Sequence, residues 1–246
     1  MSPARGRGGS ARMGYVKHRT LLPFLPLFLA ALLASGCGSA VQESGPGGDA
    51  EPAPASSSPS SSFGQNFEED VQLARTLTER FWQGRFEAAG RVYRPIEAFE
   101  AYSGEGGPAC GDQPAVPENA FYCPLGHFVA YDEAWMRKLY ENGGDGAVYV
   151  IIPHELGHAV QAQLMSDFTL NVQRELQADC YAGGALSGMI DAGQIEAEPG
   201  DDEELLANLA AAGDPTDEWL RPDAHGTPAQ RQQSFANGFN NGVDAC

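Results

Sequence analysis

The sequence predicts an α+β domain, mostly helical, with a small β element near its start. Two observations predict it. Apolar residues recur at helical spacing from Phe67 to Trp82, and again in long segments after residue 132. Short extended candidates fall between residues 96 and 131, where glycine and proline interrupt them.

Residues 1–36 read as a targeting segment. Arg5, Arg7, Arg12, Lys17 and Arg19 precede LLPFLPLFLAALLA. That apolar run is too short and too proline-broken for a membrane-spanning helix, and of the length of a signal-peptide core. Met13 is an alternative start that keeps the basic region. Leu33-Ala34-Ser35-Gly36-Cys37 resembles the bacterial lipobox, which implies a lipidated Cys37 and a cell-membrane location on the extracytoplasmic face. Plain secretion after cleavage nearby is the alternative. Residues 37–65, rich in Ser, Pro, Gly and Ala, have no apolar periodicity and read as a disordered tether. The domain is expected over residues 66–246, long enough for one sizeable core.

Within it, Phe67, Val71, Leu73, Ala74, Leu77, Phe81 and Trp82 define a first amphipathic helix ending near Gly84. A strand is expected over 96–102. A Gly/Pro-rich loop with Cys110 follows, then extended segments at 119–123 and 127–131. Helices are expected at 132–140, 147–164, 171–192, 201–212 and 228–239. Pro153 removes the backbone bond to Tyr149 and should kink the second of these or mark its start.

The formal net charge is −18, and Lys138 is the only lysine beyond the leader. Such a surface repels nucleic acid and anionic headgroups, so membrane attachment would come from the lipid. Setting Cys37 aside leaves Cys110, Cys123, Cys180 and Cys246, an even number in an exported chain and so two disulfides. Three pairings are open. The favoured one joins Cys110 to Cys123 and Cys180 to Cys246.

The helix expected at 147–164 carries His154-Glu155-Leu156-Gly157-His158. Residues four apart share a helix face, so both imidazoles can reach one metal ion. Glu155, offset by one position, can reach a water on that metal without ligating it. Gly157 would leave room between the ligand turns. Catalytic zinc needs a third protein ligand. Glu175, in Arg174-Glu175-Leu176-Gln177-Ala178-Asp179, is the candidate, giving one zinc per chain. Asp179, one turn further on, would accept from the outer nitrogen of a ligand histidine, His154, and fix its tautomer. A three-histidine site would need glycine at 161 and histidine at 164, where the chain has Gln161 and Leu164.

HELGHAVQ, ELQADCYAG and HGTPAQRQQSFANGF, in that order, together with ACGD and FYCP upstream, resemble the bacterial neutral zinc metallopeptidase family across residues 81–242. The resemblance implies a zincin-like, gluzincin-type fold and an exported or membrane-attached peptidase acting on protein or peptide. Ala159 stands where the family often has a further histidine. His225, before a helix start at Thr227-Pro228, is a candidate to stabilise the oxyanion, with Arg231 in the same block as its alternative and Tyr149 and Tyr181 as weaker ones. His127 reads as a structural residue or at most a cleft residue, and Trp82, Trp135 and Trp219 as core or surface-packing residues. Two rival functions use the same residues: a zinc-binding surface scaffold without activity, and a hydrolase of cell-wall amides.

Overall fold

The computed structural model describes residues 66–246. The leader, the tether and Cys37 lie outside them. Six α-helices and one three-stranded sheet make up the described domain.

Helix α1 (Phe67–Ala88) opens where the Asn66 side chain accepts from the Glu69 amide at 3.0 Å. Glu68, Glu69 and Asp70 in its first turn complement the helix dipole. Val71, Ala74, Leu77 and Trp82 bury one face. The helix runs past Gly84, where the sequence suggested an end. Phe86, one half-turn on, is buried against Tyr93 with ring centroids 5.4 Å apart. That burial outweighs the roughly 1 kcal/mol a mid-helix glycine costs.

Strands β1 (Ala98–Tyr102), β2 (Ala120–Cys123) and β3 (Phe128–Asp132) form a sheet in the order β1-β3-β2. β1 runs parallel to β3 and β2 antiparallel to it, so β2 is an edge strand. The Cys110–Cys123 disulfide ties the preceding loop to β2. Tyr102 donates to the carbonyls of Val116 and Asn119 at 2.7 and 2.9 Å, holding the other end of that loop. His127 is buried beside the β2–β3 turn, within 2.8 Å of the Tyr122 hydroxyl and 3.1 Å of the Arg94 carbonyl, a structural role.

Helix α2 (Glu133–Gly143) follows β3 directly, capped by Asp132. Helix α3 (Gly146–Leu164) is the axis of the domain: Val148, Ile152 and Leu156 are almost wholly buried between α1, α4 (Asn171–Asp191) and the sheet. Pro153 does not start α3; the helix passes through it. Dense packing on all sides holds the segment helical despite the missing hydrogen bond. Helix α5 (Asp201–Ala211) covers the start of α3, and α6 (Pro228–Asn241) lies along α4. Thr227 and Gln230 make the capping box that starts α6. The Cys180–Cys246 disulfide fastens the segment after α6 to α4, so both disulfides have the favoured pairing.

Candidate metal centre

Two neighbouring helices build the centre. α3 supplies His154 and His158, one turn apart; α4 supplies Glu175. Their approach requires small residues at the crossing. A Cβ on Gly157 would stand 3.3 Å from Ala178 Cα, so this glycine makes room for α4 rather than for the ligand turns, as its position between them suggested.

His154 Nε2 and His158 Nε2 are 3.1 Å apart, and they stand 3.3 and 3.4 Å from Glu175 Oε2. Four-coordinate zinc with bonds of about 2.0–2.1 Å sets its ligand atoms roughly 3.3 Å apart. Two imidazole nitrogens and one carboxylate oxygen at that spacing fit three corners of the tetrahedron, and the donor set is one zinc favours.

Each candidate ligand is held from behind. His154 Nδ1 meets Asp179 Oδ1 at 2.8 Å, and His158 Nδ1 meets Gln161 Oε1 at 2.8 Å. Arg174 and Asn171 donate to Glu175 Oε1, at 3.0 and 3.5 Å, leaving Oε2 toward the histidines. Arg231, from α6, grips Asp179 with two bonds of 2.8 and 2.7 Å and donates to the Ala212 carbonyl.

The electrostatics favour a cation here. Burial alone would lower the His154 pKa, but Asp179 and Glu175 outweigh it and push it up to about 10. Burial works to raise Glu175 and Asp179. His154 and His158 nevertheless hold Glu175 far below the usual carboxylate range, and Arg231 with His154 holds Asp179 down. Both carboxylates are therefore charged at neutral pH.

The three candidate ligands open onto a cleft of about 890 Å³ that Glu155, His225 and Arg231 also line. Glu155 is buried there beside its two neighbouring histidines. His225 sits at the exposed rim; its backbone amide donates to Asp214 at 2.6 Å, and its Nδ1 lies 3.8 Å from the same carboxylate. Arg231 contacts the cleft, but its bonds go to Asp179 and the Ala212 carbonyl and its Nη2 stands 3.4 Å from His154 Nδ1, so its geometry is that of a brace behind His154. Tyr149 points into the core and donates to Asp70 at 3.2 Å, and Tyr181 packs on Trp82. Neither reaches the cleft.

Three participants were not singled out by the sequence. Trp135 read as a packing residue, yet it lines the cleft together with Leu139 one helical turn on. Gln161 was noticed only for not being glycine, although its position three residues after His158 is a legible signal for the same helix face. Asp214, which organises the His225 loop through bonds to His225, Gly226 and Arg221, carried no local signal.

A family model described as "Putative neutral zinc metallopeptidase" matches residues 2–246. Uncharacterized protein YpfJ of Escherichia coli K12 is 33% identical over 193 residues, 68% of this chain and 66% of the relative. The chain thus spans just under two thirds of that protein's length. Uncharacterized protein Mb2605 of Mycobacterium bovis is 30% identical over 215 residues, 70% of this chain and 73% of the relative. No solved structure matches the chain. The family match runs over nearly the whole sequence, and the mostly helical α+β domain with its small leading sheet agrees with it: this chain belongs to the neutral zinc metallopeptidase family and has its zincin-like fold.

Proposed function

We propose that the protein is an exported, lipid-anchored peptidase that binds one zinc ion through His154, His158 and Glu175 and hydrolyses peptide bonds. The observation that carries this reading is the convergence of the three ligand atoms at tetrahedral spacing on the floor of an open cleft, with Glu155 beside them.

When bound, zinc supplies Lewis-acid polarisation of the scissile carbonyl and lowers the pKa of water. Glu155 takes the proton from the attacking water and later delivers it to the leaving nitrogen. The water oxygen joins the acyl carbon, the C–N bond breaks, and no protein atom bonds to the substrate. His225, carried at the cleft rim by a loop that Asp214 pins, stabilises the negative charge developing on the carbonyl oxygen. Arg231 and Asp179 hold His154 in the tautomer that leaves Nε2 free.

The cleft suits an extended chain. Ala120, Phe121 and Tyr122 of edge strand β2 line it, and a substrate strand can pair there. Its lining is mixed: Trp135, Leu139, Val150, Ile151, Met165 and Phe168 supply apolar surface, and Gln161, Ser166, Asp167 and Arg174 polar groups. A bulky apolar side chain near the cleaved bond would fit the apolar part.

Export and lipid anchoring rest on the apolar leader and LASGC at Leu33–Cys37. Two disulfides suit an oxidising compartment. No helix among the described residues is long and apolar enough to cross a membrane.

The test is metal content together with cleavage of an unstructured protein. The unmutated protein should hold one zinc and cleave. Glu155→Gln should hold one zinc and not cleave, and Glu175→Ala should lose the metal. Cleavage retained by Glu155→Gln would sink the mechanism. Zinc without cleavage of protein substrates would favour the scaffold or the cell-wall hydrolase, the latter recognised by amino groups released from wall material.

A further inference from the structure

The two ligand histidines are backed differently, and the difference lies in Gln161. His154 faces a carboxylate whose charge Arg231 balances. His158 faces a neutral amide that is 4% exposed and reaches across to α4. The Gln161 amide nitrogen donates to the Arg174 carbonyl at 2.8 Å and to Gln177 Oε1 at 3.2 Å.

This arrangement fixes the direction of every bond in a chain. The Cys246 backbone oxygen can only accept, so the Gln177 amide nitrogen, 3.3 Å away, donates to it. Gln177 Oε1 is thereby turned toward Gln161 as an acceptor. The Arg174 carbonyl is a second acceptor at the same place. Gln161 must therefore present its nitrogen to α4 and its oxygen to His158. An oxygen 2.8 Å from His158 Nδ1 requires a proton on that nitrogen. His158 Nε2 is then the ring nitrogen that faces Glu175 and His154, the one a metal ion would take. Arg174 directly precedes Glu175, so the same amide also ties the His158 ring to the turn of α4 that carries the third ligand.

We propose that Gln161 is a positioning residue for zinc: it sets the tautomer of His158 and locks that imidazole to the Glu175 turn, so that ligands on two helices are presented as one unit. The inference rests on the reading that His154, His158 and Glu175 hold the ion.

The test compares zinc affinity, measured by competition with a chromophoric chelator, in the full protein and in its Gln161→Met and Gln161→Glu variants. Thermal unfolding of each metal-free protein is measured alongside. Gln161→Met keeps the volume and removes the acceptor, and affinity should fall about 10- to 100-fold. Gln161→Glu restores an acceptor for His158 but loses the donors to α4, so most of the affinity should return while unfolding stays at lower temperature than in the unmutated protein. Equal zinc affinity in all three proteins, with lower unfolding temperatures for the variants, would overturn the proposal and leave Gln161 as a brace between helices. A nitrogen-15 spectrum of the unmutated metal-free protein provides a measurement independent of any variant's folding: a proton on His158 Nδ1 is expected, and a bare Nδ1 overturns the assignment. An unmutated protein that binds no zinc would instead defeat the reading of the site itself.

Discussion

Arg231 is 5% exposed, and the carboxylate it grips, Asp179, is fully buried. Removing one member of such a pair leaves an uncompensated charge in the interior, at a typical cost of about 3–5 kcal/mol. Arg231→Met is therefore expected to lower the unfolding temperature of the metal-free protein sharply, as differential scanning calorimetry would record. Arg231→Lys should recover only part of the loss, because an ammonium cannot reproduce the two-pronged contact with Asp179. A cost below 1 kcal/mol for Arg231→Met would show that Asp179 does not depend on it. At this scale the candidate ligands His154, His158 and Glu175, and Asp179 behind them, were legible in the sequence through one-turn helical spacing. Arg231 was noticed, but its placement was not. It lies far along the chain from Asp179, and whether it faces the cleft or the carboxylate depends on where α6 docks.

Helix α6 docks on α4 closely enough for backbone contact. A Cβ on Gly238 would fall 1.8 Å from the Cys180 carbonyl oxygen, and one on Gly183 would fall 2.1 Å from that of Phe235. Neither neighbour can move without shifting a helix. Gly238→Ala should therefore destabilise by about 1–3 kcal/mol or more. Because α4 carries Glu175 and Asp179, it should also weaken zinc binding. Gly84, with nothing within 4 Å of its would-be Cβ, is the control: Gly84→Ala on α1 should stabilise by up to about 1 kcal/mol. Denaturant unfolding of the two variants checks both signs, and a neutral Gly238→Ala would refute the close approach. Element positions were the most readable feature of the sequence, because apolar periodicity and the helix start at Thr227-Pro228 act locally. The end suggested at Gly84 and the start suggested at Pro153 are the readings that changed, and there packing from distant segments overrides a local helix-breaking signal.

Across the whole molecule the excess of acid has a structural consequence. Asp145, just before α3, lies near Asp201 and Glu204 of α5. Burial, and then the charges of Asp70, Asp201, Glu204 and Glu198, push its pKa from 3.8 up to about 6. The folded protein thus holds a proton that the unfolded chain has released between pH 4 and 6. Stability falls as pH rises through that window, and the penalty is fully present above pH 6. Asp145→Asn should accordingly raise the unfolding temperature at pH 7–8 and leave it nearly unchanged below pH 4. An equal effect at both pH values would mean that charge is not the cause.

By itself, the sequence determined the helical segments and the types of residue able to bind a metal, because each depends on chemistry within a few positions along the chain. Tertiary structure alone decided that the histidines of α3 and the carboxylate of α4 meet at 3.3–3.4 Å. It also decided that Arg231 braces Asp179, that Gln161 ties His158 to α4, and that Trp135 faces the cleft. These depend on how closely two helices approach, which glycines such as Gly157, Gly183 and Gly238 permit and which no local pattern encodes.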